Sequence, residues 1–239
     1  MKREVQNMKY ILLHGLGQNS SSWENTVKVM NRKSDILCPN LLEWISNTEP
    51  CYPYLYQALE NYCEPWNEPL NLCGLSLGGI LALHYTIAHS EKVNSLALIG
   101  TQISMPKNIL KFQNIIFKLM PNSAFQKIGI RKNDMIDLCK SMMDLDFSKD
   151  LKKISCQVLV ICGEKDKANK SASLKLKQEL PHAELFMIPH AGHEVNLDSP
   201  AELGKQLNIF FQCNENEETN KITNFFQPKM EKDNSIYMR

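Results

Sequence analysis

The sequence predicts an α/β domain of three layers, a mainly parallel sheet of about six strands held between helices. Two observations carry this. Short β-rich apolar runs alternate with helix-like segments along most of the chain, the pattern of parallel strands joined by right-handed crossovers. The 239 residues, 43% hydrophobic and 22% charged, suffice for one large domain with a substantial core and do not require two.

The elements follow in order. Tyr10–Leu13 reads as the first strand, closed by His14-Gly15. Ser20–Lys33 reads as a helix, with Ser21 and Glu24 in capping-box spacing. Ile36–Cys38 is a short strand stopped by Pro39, Tyr52–Cys63 a helix, and Pro69–Cys73 the next strand. Leu77–His89 reads as an apolar helix and Val93–Ile99 as a buried strand. Cys156–Cys162 and Ala183–Ile188 are later strands, with Asn169–Leu180 helical between them. Ser199–Phe211 is a final helix that opens on a cap and Pro200.

One segment breaks the alternation. Residues 105–150 carry no convincing strand and several short helical patterns, which suggests a helical cap inserted into the domain. The expected organisation is therefore 1–104 and 151–213 as the two parts of the core, 105–150 as the cap, and 214–239 as a polar extension. That extension is open to two readings, a mobile tail or an extra helix.

Charge and cysteine use narrow the function classes. A formal net charge of +1 gives no electrostatic reason for a nucleic acid or an anionic membrane as partner. No apolar run approaches the roughly 20 residues that span a bilayer, and the five-residue apolar run before His14 is short for a signal-peptide core. The eight cysteines form no Cys-x-x-Cys pair with histidines at metal spacing, so zinc is not expected; no cofactor is expected either. The cytoplasm, with reduced thiols, is the expected compartment. A small neutral molecule is the default ligand.

Gly74-Leu75-Ser76-Leu77-Gly78 carries the chemistry. A serine set between a strand and a helix, with glycines two positions either side, fits a sharp, strained turn that projects its hydroxyl. The helix beginning at Leu77 directs free N–H groups toward an anion forming beside Ser76. A serine hydroxyl needs a base, and the base an orienting acid. His84 and His89 lie along the helix after Ser76, pointing away from it, and His182 follows a proline in a loop. His190 and His193 lie in a loop after the last strand, on the side where Ser76 also sits. His193, preceded by Gly192, is the expected base and His190 a solvated loop residue. Asp166, in the loop one strand earlier, is the expected acid; Glu164 reads as solvated, and Asp144 and Asp146 are held in reserve. The glycine-rich turn after the first strand offers the backbone N–H of Leu16 to an oxyanion, with that of Leu77 as second donor.

In these motifs, His14-Gly15-Leu16-Gly17, Gly74 to Gly79, Gly163-x-x-Asp166 and Gly192-His193, in that order, the chain resembles a small α/β-hydrolase of the carboxylesterase and lipase-related superfamily over about residues 8–212. The resemblance implies Ser76 as nucleophile, His193 as base, Asp166 as acid, and Leu16 and Leu77 as oxyanion donors. It implies hydrolysis of a small carboxylic ester or other acyl substrate. As alternatives it admits thioesterases, C–C bond hydrolases, cofactor-free haloperoxidases, the pyruvate-eliminating synthase of menaquinone biosynthesis as the main enzymatic rival, and, from a different class, non-catalytic small-molecule receptors. The segment before the first strand is too short for the family's usual leading hairpin.

The cap holds five of the eleven methionines, with Phe112, Ile115, Ile116, Phe117 and Phe125. They would suit an acyl or aromatic group, or simply pack the cap onto the domain. Lys107, Lys111, Lys118, Lys127, Arg131 and Lys132 read as a solvated face, or as a site for an anionic substrate.

Overall fold

In a computed structural model of the chain, residues 8–45, 50–105, 117, 119–126, 130–180 and 182–215 are described. Six strands form one sheet: β1 (Tyr10–Leu13), β2 (Ile36–Leu37), β3 (Leu70–Leu75), β4 (Val93–Ile99), β5 (Gln157–Gly163) and β6 (Ala183–Ile188). Their order is β2-β1-β3-β4-β5-β6, and every neighbouring pair is parallel. The chain winds from β1 outward to β2, returns past β1 to β3, and proceeds to the other edge.

Side chains of the strands alternate between two cores, as the period of two demands. Ile11, Leu13, Leu72, Leu96, Leu98, Val158 and Val160 face one core, with α2 (Tyr52–Cys63), α3 (Leu77–Ala88) and Leu176 of α6 (Lys170–Glu179). Tyr10, Leu12, Cys73, Leu75, Ala97, Ile99 and Ile161 face the other, with Leu203, Leu207 and Phe211 of α8 (Pro200–Glu215). The sheet is buried on both faces, as an all-parallel sheet must be. The three-layer α/β expectation and the count of six strands both hold.

The first crossover differs from its expected form. Asn19, not Ser21, caps it: its Oδ1 accepts from Ser21 N at 2.9 Å and from Ser21 Oγ at 2.6 Å. A 3₁₀ turn at Ser20–Trp23 precedes α1, which covers only Glu24–Val29. The helix stops early because Asn208 of α8 reaches its end, donating to Val29 O at 3.1 Å and accepting from Asn31 N at 2.8 Å. A four-residue helix, α7 (Val195–Asp198), lies between the last loop and α8 and was not foreseen.

Between β4 and β5 stand α4 (Asn122–Gln126) and α5 (Lys132–Ser141). Phe125, Met135, Leu138, Met142 and Phe147 of this segment, with Met105, join the core on the α2–α3 side. Three of the five methionines are thus buried in the domain core, and Met120 packs against it partly buried. Lys107, Lys111, Phe112, Ile115, Ile116, Lys118, Lys127 and the extension from residue 216 lie outside the described residues. Among the described residues no helix is long and apolar enough to cross a membrane, and Cys38, Cys51, Cys63, Cys73, Cys139, Cys156 and Cys162 are free thiols.

Candidate active site

Ser76 connects β3 to α3 at φ 53, ψ −111, a conformation an L-residue adopts only under strain. The glycines around it are required by contact. A Cβ on Gly74 would come within 2.2 Å of Gly78 O, and one on Gly78 within 2.1 Å of Leu13 O. The first turn of α3 therefore presses on both its own strand and the end of β1. Ser76 N donates to Ile99 O at 2.9 Å, which ties the turn to β4.

The same close approach brings the turn after β1 beside the start of α3. Gln18 N donates to Gly15 O at 3.2 Å, with Gly17 at φ 84 as a type II turn requires. Leu16, at the second position of that turn, keeps its N–H out of the turn bond. Leu77, first in its helix, has no intrahelical partner for its own. His14 secures this turn from beneath. It is fully buried, and Leu41 N donates to its Nε2 at 3.0 Å, so Nδ1 carries the proton and donates to Gly15 O at 2.9 Å. Burial holds its pKa below the ordinary value despite the bonds to Gly15 and Asn40.

Asp166 and His193 approach from β5 and β6. A Cβ on Gly163 would lie 2.0 Å from Gly192 O, so the two loops cross with backbone against backbone. Lys165 N donates to Ala191 O at 2.9 Å across the same crossing. There His193 Nδ1 lies 2.7 Å from Asp166 Oδ2, with the Asp166 side chain 4% exposed and that of His193 39%. One end of the imidazole is thus fixed on a buried carboxylate while the ring stays open to solvent. Burial pushes the Asp166 carboxyl up, but the bonds from His193 and Asn169 outweigh it and leave the group below the usual carboxylate range.

The other candidates separate cleanly. His190, at φ 62 and with 87% of its side chain exposed, stands apart with Glu164, whose Oε2 accepts from His190 N at 2.8 Å. The left-handed residue of that loop is His190. Gly192 allows a close approach: its N–H donates to Asp198 Oδ2 at 2.6 Å, and a Cβ there would stand 3.0 Å from the same oxygen. His84 stacks on Tyr56 with ring centroids 3.8 Å apart, and His89 pairs with Glu60 at 2.9 Å. Asp144 and Asp146 are exposed and line a separate groove with His84.

Four residues of this neighbourhood escaped the sequence reading. Gly100, at φ 53, has no side chain because His193 occupies that space: a Cβ would meet Cε1 and Nδ1 at 3.0 Å. Gln18 and Asn196 form a reciprocal amide pair at 3.2 and 3.0 Å that clasps the turn after β1 to the segment following His193. Asn169 donates to both oxygens of Asp166 at 2.9 Å. Only Asn169, the last residue before a helix in the acid's own loop, carried a signal, and amide residues before helices ordinarily cap them.

Comparison with known proteins agrees with this architecture. A family model, the alpha/beta hydrolase family, matches residues 10–205. The alpha/beta hydrolase domain-containing protein VTE7 of Arabidopsis thaliana is 24% identical over an alignment of 243 positions that covers 84% of this chain and 73% of that protein. A putative 2-succinyl-6-hydroxy-2,4-cyclohexadiene-1-carboxylate synthase of Bacillus subtilis is 24% identical over an alignment of 178 positions that covers 59% of this chain and 65% of that protein. Among solved structures, the enol-lactonase of Burkholderia xenovorans superposes with a TM-score of 0.75 at 18% identity, covering 86% of this chain and 92% of that one.

Proposed function

The chain belongs to the alpha/beta hydrolase family, and from that premise we propose that it is a serine hydrolase that cleaves small carboxylic esters through an acyl-enzyme. The observation that carries the reading is the 2.7 Å contact of His193 with a buried Asp166, across the sheet edge from a serine at φ 53. With Nδ1–H donated to Asp166, the Nε2 of His193 is the free basic nitrogen.

The steps follow from these placements. Nε2 takes the proton of Ser76 as Oγ bonds to the ester carbonyl carbon, and the carbonyl electron pair moves to oxygen. The N–H groups of Leu16 and Leu77 receive that oxyanion; losing one such donor typically costs about 3 kcal/mol in the barrier. Collapse expels the alkoxide, which takes the proton from His193. Water, deprotonated by the same Nε2, then releases the acid and restores Ser76. Asp166 stays ionised throughout. The segment between β4 and β5 would cover the acyl group, and no cofactor enters any step. Among the described residues the cysteines are free thiols and no helix is long and apolar enough to cross a membrane, which is compatible with the cytoplasm.

Burst kinetics with p-nitrophenyl acetate and butyrate test the reading. It requires a burst equal to the enzyme concentration followed by turnover, and a serine-directed phosphonate adduct on Ser76. Stoichiometric release without turnover would favour a small-molecule receptor. The similarity to the Bacillus subtilis synthase motivates a second reading, elimination of pyruvate by proton abstraction at His193. Against it, Arg131, a candidate for an anionic substrate, points outward to Asp134 at 2.6 Å with 80% of its side chain exposed. Pyruvate release from that synthase's substrate by the purified protein would reverse the order of preference.

A further inference from the structure

Asn169 stands where an asparagine usually caps a helix. It is the residue before α6, at φ −107, ψ −5, yet its side chain makes no capping bond. The Oδ1 that would accept from the helix's free N–H groups instead accepts from Gln102 Nε2 at 2.7 Å. This bond fixes the amide's orientation: with Oδ1 on Gln102, the amino group must face Asp166. Nδ2 lies 2.9 Å from both Asp166 oxygens, and Asn169 N adds a bond to Oδ1 at 3.3 Å. Nδ2 also comes within 3.1 Å of His193 Nδ1, two donors converging on one carboxylate. The chain Gln102–Asn169–Asp166–His193 thus spans the loops after β4, β5 and β6.

A carboxylate on a loop turns readily about its last side-chain bond, whose energy wells are broad. Asp166 can hold an imidazole in one orientation only if that rotation is stopped. We propose that Asn169, anchored by Gln102, is a positioning residue that locks the carboxylate plane of Asp166 and so aims His193 at Ser76. This rests on the serine-hydrolase reading for its purpose but not for its measurement. Asp166 is the charged side chain in contact with the ring. Glu194, next in sequence, turns to Gln18 Nε2 at 3.0 Å, and Glu164 serves His190.

The test is an NMR titration of the His193 ring in the full-length protein, paired with the pH dependence of kcat on p-nitrophenyl butyrate. Asn169→Asp keeps the size of the side chain and an acceptor for Gln102 but sets a second negative charge against Asp166. The imidazolium is then favoured, and the pKa of His193 should rise by about one unit, with the acid limb of kcat following. Asn169→Ala should lower kcat on the order of tenfold with KM nearly unchanged, since aim and not binding is lost. Gln102→Ala should cost less, and the double variant no more than Asn169→Ala alone, because the two act in series. A His193 titration unmoved in Asn169→Asp, or multiplying effects in the double variant, overturns the proposal even if esters are turned over. Absence of ester turnover in the wild-type protein would instead overturn the functional reading, while the ring titration, which needs no substrate, still decides the role of Asn169.

Discussion

Asp166 Oδ2 and His193 Nδ1 meet at 2.7 Å across 27 residues of sequence, brought together by a crossing of two loops that glycine alone permits at position 163. The carboxylate accepts from Nδ1–H and so specifies the tautomer with Nε2 free. Asp166→Asn would offer an amide in its place, and an amide can present a donor and favour the opposite tautomer. Turnover of p-nitrophenyl butyrate should fall by about 10⁴-fold while the fold persists. A loss of less than tenfold would remove Asp166 from the reaction.

Ser76 separates reactivity from stability. Its backbone is held at φ 53, which costs on the order of 1–3 kcal/mol for a residue with a Cβ. Ser76→Ala should abolish turnover and leave the melting temperature close to that of wild type, because the strain is retained. Ser76→Gly should abolish turnover and raise the melting temperature, because the strain is relieved. Equal melting temperatures for the two variants would mean that the elbow stores no strain.

The parts of this architecture that depend on local pattern were legible in the sequence. All six strands fell within two residues of their expected limits at both ends, because burial on both faces leaves continuous apolar runs such as Val158–Cys162. The strained turn at Ser76 and the meeting of Asp166 with His193 were legible because each residue follows a strand within three positions of a close-packed glycine. What lay hidden depends on contact between distant segments. Nothing near Gly100 announces that His193 will lie over it, and nothing near Val29 announces that Asn208 will end its helix. The amide pair of Gln18 and Asn196 is similarly silent, since each residue taken alone reads as an ordinary loop polar group.

Gly100 is the position where a single methyl group should reach the chemistry. Its φ of 53 already disfavours alanine, and the added Cβ would stand 3.0 Å from two ring atoms of His193 and 3.2 Å from Asp166 Oδ2. Gly100→Ala should destabilise the protein by about 1–2 kcal/mol in urea titration and lower kcat on the order of 100-fold by displacing the ring. Stability lost without loss of kcat would show that the imidazole does not rest on this glycine during turnover.

His14 links the turn after β1 to the pH dependence of stability. Burial lowers its folded-state pKa below the 6.5 it has when exposed, so at pH values near and below 6.5 the unfolded chain binds a proton that the folded one resists. Its contribution is complete above 6.5 and is lost progressively as pH falls toward the folded-state pKa, below which both states are protonated and the loss stops. Two effects should therefore appear in His14→Ala. At pH 7.5 the variant should be less stable by about 1–3 kcal/mol, because the buried Leu41 N–H loses its acceptor. Just below pH 6.5 its stability should fall less steeply than that of wild type, because the group that resists protonation is gone. Urea titrations at a series of pH values read both effects together, and parallel pH profiles for the two proteins would show that His14 titrates alike folded and unfolded, contrary to its burial beneath Gly15.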